Sequence, residues 1–566
     1  MIRGGSVLLL ILFCFLGNAQ DSTEFRSPLG IPLHLSGTFA ELRSNHFHGG
    51  LDIKTNGKTG YRVYATQRGY VSRIKVQAGG YGNALYINHP NGYTTVYGHL
   101  DKFNDVLAKY VKQQQYQQQS FGVDLYLDAN QFRVEQGEII GMSGNSGSSG
   151  GPHLHYEIRK TAGQIPINPL EYTAVRDNIN PTIKGVRVHE MSQGFYHGKT
   201  YTEAAQYIQP GKYRISGDTI VVNDPVIAVS IKAIDKQNGS NNSNGFHDLK
   251  LFVDGQLTYN YTKTEVAFDE SRYINSHIDY PGKKAGLGSY SNAFKLPGNR
   301  LKFLSNAPDG RIWLSQYTKR NIQLEVCDFE GNTSTIQFVV KYQPPTEPMM
   351  ANTYSQHFPY NQPNAFSTTG LRLSIPNGAL YDNLKFNYEA VNTPPAIKQP
   401  IYSSIHQVHY DEVPLHKLMS IGVEATTLPA ELRSKALVAS LDQRNRINVN
   451  KGTWEGNYLV AKTRSFGKFF ITTDTAAPTI TPYRQAKAKN YAGRESIQFK
   501  IADDLSGIKT YRGTVNGQWI LMEYDAKRNL LYHKFDGKIP SGENTIRLTV
   551  VDVVGNTKEL EYTFTR

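Results

Sequence analysis

The sequence predicts a mainly β protein: an N-terminal β-sheet domain followed by about three β-sandwich modules. Three observations carry that expectation. Tyr, Thr, Val, Ile and Gly are plentiful, while long helical patterns are rare. Short alternating runs separated by Gly/Asn turns recur along the chain. The 566 residues exceed what one core organises, which points to about three to five domains.

Residues 1–19 read as an export signal. Arg3 is the only charge there, Val7 to Leu16 is an unbroken apolar run, and Gly17-Asn18-Ala19 offers small residues for cleavage near Ala19 or Gln20. The run is too short to span a bilayer, and no later segment is apolar enough to do so. A lipid anchor on Cys14 is disfavoured by the bulky Phe13 before it. The mature chain then holds Cys327 alone, so no intrachain disulfide can form. Cys327 closes a strand, Ile322–Cys327, and reads as a small packing residue rather than a nucleophile. The formal net charge is +13 and drops to about +12 without Arg3, which suits anionic polymers, membranes or cell wall. The Lys and Arg residues are dispersed, and nothing resembles a nucleic-acid-binding module.

Residues 20–176 form the first domain. Strands are expected at Val63–Val71, Ile74–Val76, Asn83–Asn88 and Tyr93–Gly98, the last two joined by the turn His89-Pro90-Asn91-Gly92. Phe103–Gln119 is the only helix-like stretch. It ends in a Gln-rich patch that low complexity marks as a mobile excursion.

Chemistry concentrates in three pieces of this domain: His46-Phe47-His48-Gly49-Gly50-Leu51-Asp52, Val96-Tyr97-Gly98-His99-Leu100, and Gly150-Gly151-Pro152-His153-Leu154-His155-Tyr156-Glu157. Zinc favours tetrahedral N, S and carboxylate ligands, with one position left for water at a catalytic site. Gly49-Gly50 opposes a helix between His48 and Asp52, so an extended or turning segment must bring them together. His153 and His155 are two apart in a strand-like run and face one side, with Leu154 facing the core. Gly147–Gly151 and Pro152 give a substrate chain a close approach. His46, two residues from His48, is an alternative ligand. Tyr97 either lines the cleft or packs, and Glu157 is either a partner of a ligand or an exposed strand carboxylate. His89 at its turn, and His406, His409 and His416 in the later modules, read as structural or surface residues.

The pattern His-x-Gly-x-Asp, Tyr-x-His, Gly-Pro-His-Leu-His-x-Glu resembles the M23 metallopeptidases, the LytM/lysostaphin group. Flanking stretches agree: Gly69-Tyr70-Val71, Tyr81-Gly82-Asn83, Gly137–Gly141 and Ile167-Asn168-Pro169. The resemblance covers roughly 43–170. It implies a LytM-type fold, Zn²⁺ as cofactor, His48, Asp52 and His155 as metal ligands, and His99 and His153 as the catalytic histidines that move protons or steady the oxyanion. It selects His48 over His46. It implies peptide bonds in peptidoglycan stems or cross-bridges as substrate, with the protein exported to the periplasm, cell envelope or medium. A non-catalytic scaffold or activator of other wall hydrolases is the competing reading from a different class, and a protease of exported proteins is the competing enzyme. One departure is the segment Asn104–Phe132 after His99, which is short in typical members. It is read either as a lid over the groove or as a solvent-exposed decoration.

The rest of the chain holds an internal repeat. One copy, 177–343, opens at Pro181-Thr182-Ile183, continues through Ile231–Asp235 and Val253-Asp254-Gly255-Gln256, and closes at Asp328–Thr333. The other, 475–566, opens at Pro478-Thr479-Ile480, continues through Ile501–Asp504 and Val515-Asn516-Gly517-Gln518, and closes at Asp552–Thr557. Both resemble bacterial Ig-like modules, and the first carries extra length around Tyr259–Ser315. Residues 344–474, entered through a Pro-rich linker, are similar to ZU5-type β modules. The modules are expected to hold the first domain near the wall or an envelope protein partner.

Overall fold

The computed structural model describes residues 25–316, 318–346, 353–392 and 397–566. The export signal expected at 1–19, with Cys14, lies outside them. The molecule is mainly β, and among the described residues no helix is long and apolar enough to cross a membrane.

The first domain runs β1 (Leu35–Gly37), β2 (Leu51–Lys54), β3 (Arg62–Tyr64), β4 (Gly69–Val76), β5 (Asn83–Asn88), β6 (Tyr93–Leu100), β7 (Lys102–Phe103), α1 (Asp105–Gln118), β8 (Val123–Tyr126), β9 (Arg133–Val134), β10 (Ile139–Met142), β11 (His153–Lys160) and β12 (Ile165–Ile167). The main sheet has the order β1-β2-β11-β6-β5-β4-β8, all antiparallel. A small sheet, β3-β10-β7, completes the domain. The strand expected over Val63–Val71 is two strands in different sheets. The chain crosses between them at Thr66, whose amide and hydroxyl both bond Tyr97 Oη at 2.9 Å. That ties Tyr97, which is fully buried, into the core rather than the cleft.

The Gln-rich patch is an ordered helix, not an excursion. Asn104 caps α1 by accepting from Leu107 N at 3.0 Å, and Gln119 ends it in the left-handed region at φ 47°. Leu107 and Val111 pack into the domain core, which gives the helix the apolar face that its composition hides. The opposite side docks on the C-terminal residues. Tyr116 donates to Asp536 at 2.5 Å and meets Trp519 edge-on, Lys112 pairs with Asp536 at 3.0 Å, and Arg512 donates to Gln119.

Behind this domain, residues 182–342 form a five-stranded and a six-stranded sheet around one core. Residues 356–473 form two five-stranded sheets and a short pair, and residues 479–565 form two four-stranded sheets. The repeated hairpins share one turn: Asp254 and Gly255 have φ 48° and 81°, and Asn516 and Gly517 have φ 49° and 82°. Two successive positive φ values are what a two-residue type I′ turn requires. Cys327 ends its strand half-buried, with Thr333 Oγ1 donating to its sulfur.

The first domain does not end cleanly at its last strand. Phe39, Ala40 and Phe47 belong to the core of 182–342. The extra length of that sandwich supplies their partners: Ser271 Oγ accepts from Phe47 N at 2.9 Å, Asn275 bonds Asn45, and Phe303 and His277 pack on the Phe47 ring. The same segment reaches the third region, through Tyr273 stacked on His416 and Lys284 paired with Asp411.

Candidate metal centre

Strand register assembles the centre. β11 lies between β2 and β6, and His155 sits opposite Asp52 on one side and Gly98 on the other. Two residues along, His153 points the same way, as the two-residue period requires. His48 arrives from the tight loop 40–48, closed by Ala40 N to His48 O and His48 N to Glu41 O. The loop can approach only because Gly49 and Gly50 lack side chains. A Cβ on Gly50 would sit 2.1 Å from Tyr156 O and 2.7 Å from Glu157 Cγ.

Three donor atoms converge. His48 Nε2 lies 3.0 Å from Asp52 Oδ1 and 3.1 Å from His155 Nδ1, and His155 Nδ1 lies 3.0 Å from Asp52 Oδ1. A tetrahedral zinc with bonds of about 2.0–2.1 Å spaces its ligands roughly 3.3 Å apart, so this triangle fits with a slight outward adjustment. The outer ring nitrogens are spoken for: His48 Nδ1–H donates to Thr38 O at 2.8 Å, and His155 Nε2–H donates to Glu157 Oε1 at 2.7 Å. With a hydrogen fixed on each outer nitrogen, the inner nitrogen is the one each neutral ring would offer to a metal ion. All three residues are buried, and together they form a group that could hold a metal ion. His46 is exposed and its ring bonds Ser44 O, outside the group.

The remaining two histidines stand beside the triangle. His153 Nε2 is 3.3 Å from Asp52 Oδ1, and the His99 and His153 rings are 4.8 Å apart. His99 Nδ1–H donates to Ser146 O and His153 Nδ1–H to Gly151 O, both at 2.8 Å. A carbonyl only accepts, so each ring carries a hydrogen on Nδ1 and, in its neutral form, keeps Nε2 as the acceptor. His99 adopts φ 59°, a strained value that the adjoining loop holds in place. Added Cβ atoms on Gly150 and Gly151 would meet nothing within 4 Å, so this loop borders open space.

Burial opposes the Asp52 charge, but His48, His153 and His155 outweigh it and hold the carboxyl well below its usual range. Burial also opposes a charged His155, yet hydrogen bonds to Asp52 and Glu157 push it up to about 9. A metal ion held by His155 would displace that proton. Burial, reinforced by His155 and His153, pushes His99 down to about 3 and keeps it neutral.

Residues 46–119 and 112–169 match the model of peptidase family M23, and residues 355–474 match that of the Zu5-like domain. The lipoprotein NlpD of Yersinia enterocolitica is 30% identical over 120 residues, which cover 97% of that protein and 21% of this chain. The chain belongs to peptidase family M23. Two further relatives are 34% identical. DD-carboxypeptidase/endopeptidase Mpg of Neisseria meningitidis aligns over 148 residues, 26% of each chain. Peptidoglycan DD-endopeptidase ShyA of Vibrio cholerae aligns over 174 residues, 31% of this chain and 26% of its own. The chain thus spans about a quarter of the length of these two curated relatives.

Around the M23 histidines the structure adds partners that the sequence left undecided or unremarked. Glu157 is fully buried, and besides His155 it accepts from Tyr81 Oη and Arg159 Nε, each at 2.5 Å. Burial would raise its pKa, but Arg159 and His155 hold it far below. Arg43 Nη2 donates to Asp52 Oδ2 at 2.8 Å. Lys527, from the last sandwich, donates to the carbonyls of Asn145 and Ser149. It thus touches the loop that orients His99 and His153. A carboxylate two residues past a strand histidine was a visible signal for Glu157. Arg43 and Lys527 carried none, because their contacts follow from the fold. Among the described residues, no hydrogen bond, ion pair or ring contact joins segment 104–132 to the five residues. It carries α1 and β8, and its helix docks on the last sandwich.

Proposed function

We propose that this protein is an exported zinc-dependent endopeptidase that cuts peptide bonds in peptidoglycan, and that His48, Asp52 and His155 bind the metal. The carrying observation is the triangle of His48 Nε2, Asp52 Oδ1 and His155 Nδ1 with two further histidine Nε2 atoms beside it. Zinc held there would supply Lewis acidity and lower the pKa of a bound water towards neutrality. The chain's residues do the rest. His99, neutral and held by Ser146 O, takes or returns a proton at Nε2, and His153, held by Gly151 O, presents a second Nε2 to the same space. Once protonated, either becomes a donor to the oxyanion. Gly150 and Gly151 leave room for an extended peptide. Peptidoglycan as substrate is supported by the name of ShyA, a peptidoglycan DD-endopeptidase, and an envelope location by where that polymer lies.

The test is digestion of purified peptidoglycan, with mass spectrometry of released fragments, alongside chelated protein and a His155→Ala variant. New amino termini that need both metal and His155 support the proposal and identify the bond. No cleavage by protein that retains zinc refutes it, and favours a scaffold role or a protein substrate.

A further inference from the structure

Each copy of the repeat gathers three aspartates where the chain enters a sandwich. In the first, Asp177 lies in the entering segment, Asp235 follows strand Val226–Ile234, and Asp328 follows strand Lys319–Cys327. One oxygen from each lies within 4.8 Å of the others. The last copy does the same with Asp474, Asp503 and Asp552. Local bonding matches as well. Asp328 accepts from both N and Nδ2 of Asn332, whose Nδ2 also reaches Asp177 O. Asp552 accepts from both N and Nδ2 of Asn556, whose Nδ2 reaches Asp474 O.

Acidic residues do cluster without a ligand, but the first group carries a second sign. Asp235 is only 5% exposed, and its Oδ1 has no hydrogen-bond partner. Asn244, 3% exposed, has none for either Oδ1 or Nδ2. Both residues line, with Asp177 and Asp328, a cavity of about 40 Å³. A water needs about 10–15 Å³ of such space, so the cavity takes an ion with coordinating water. None of the three carboxylates has an ion-pair partner among the described residues. Asp235 and Asp328 are buried and Asp177 is half-buried, and mutually repelling carboxylates so placed without a cationic partner are costly to hold together, a cost that a cation among them removes. The converging donors are carboxylate oxygens, with the Asn244 amide lining the same cavity, and oxygen donors select a hard cation rather than zinc. Irregular loops that can supply six to eight oxygens suit calcium better than magnesium.

We infer that Asp177, Asp235 and Asp328 form a calcium site, distinct from the histidine centre, which clamps the first sandwich to the segment leaving the peptidase domain. The cavity is also lined by Leu35, Phe39 and Asn168 of that domain, so the ion stiffens the joint between the two. In the last copy Asp503 Oδ1 and Ser506 Oγ are also buried without partners, at a less enclosed position.

The test uses the full chain, stripped of metal and reloaded with one equivalent of zinc. Calcium binding is measured by calorimetry, and thermal unfolding is followed with and without about 1 mM calcium, the range of extracellular sites. The expectation is that Asp235→Asn binds one calcium fewer than wild type. Without calcium it melts at or above wild type, because a repelling charge is gone. With calcium the order reverses. A carboxylate with only a structural role would give a variant that melts lower in both conditions. That result, an unchanged calcium stoichiometry, or an equal response to magnesium overturns the inference.

Discussion

Replacing Glu157 with Gln tests how the metal centre is held. The substitution keeps the shape and removes the charge that His155 Nε2–H, Tyr81 Oη–H and Arg159 all address. Two costs follow. The His155 ring loses a charge-assisted bond of 2.7 Å, and such partners of a ligating imidazole are worth about 10–100-fold in metal affinity, or about 1.4–2.7 kcal/mol. Arg159 is only 4% exposed and loses its anion. Breaking a buried pair costs about 3–5 kcal/mol. The amide oxygen of Gln still accepts one bond, and Arg159 keeps its stacking over Phe268 at 4.5 Å, so the loss should fall at the lower end. The assay is zinc competition against a chromophoric chelator, with circular dichroism confirming the fold. A folded variant whose zinc affinity stays within about twofold of wild type would refute the account, because the ring would then need no carboxylate behind it.

His99→Ala and His153→Ala should each lower kcat by about 10²–10⁴-fold while zinc content stays at wild-type level, read by metal analysis beside turnover. Loss of zinc instead would make that histidine a ligand. Phe47→Ala, at a ring 4% exposed between two modules, should cost about 3–5 kcal/mol in unfolding and weaken zinc binding through its neighbour His48. His277→Phe should reduce acid sensitivity. Burial holds His277 down to about 3 against 6.5 unfolded, so its stabilising neutrality is complete above pH 6.5 and is lost as pH falls from there towards 3. Between pH 6.5 and 5 that loss is about 2 kcal/mol. Denaturant unfolding at both pH values should show the variant spared by that amount, and an equal fall in both proteins would contradict the sign.

The parts of this fold that were legible rest on local rules. Two-residue periodicity placed His153 and His155 on one side of β11, and Gly49-Gly50 excluded a helix before Asp52. The hairpin around His89-Pro90-Asn91-Gly92 followed from its turn residues, and β5 and β6 lie where their alternation placed them. Illegible were contacts between residues far apart in the chain. Glu157 looked equally like a surface strand residue until Tyr81 and Arg159 enclosed it. The polar helix α1 appeared loose in composition because half of its support, Asp536 and Trp519, comes from the end of the chain. Phe47 looked like a residue between two histidines, yet its partners are Ser271, His277 and Phe303.

That last contact bears on the order in which the molecule comes into being. Phe47 and Ser271 are separated by 224 positions, and a ribosome adds about 5–20 residues per second, so roughly 11–45 s pass between making one and making the other. For that interval the loop carrying His48 has no Ser271 to hold its backbone and no sandwich core to bury its ring. The metal-binding edge is written early and finished late.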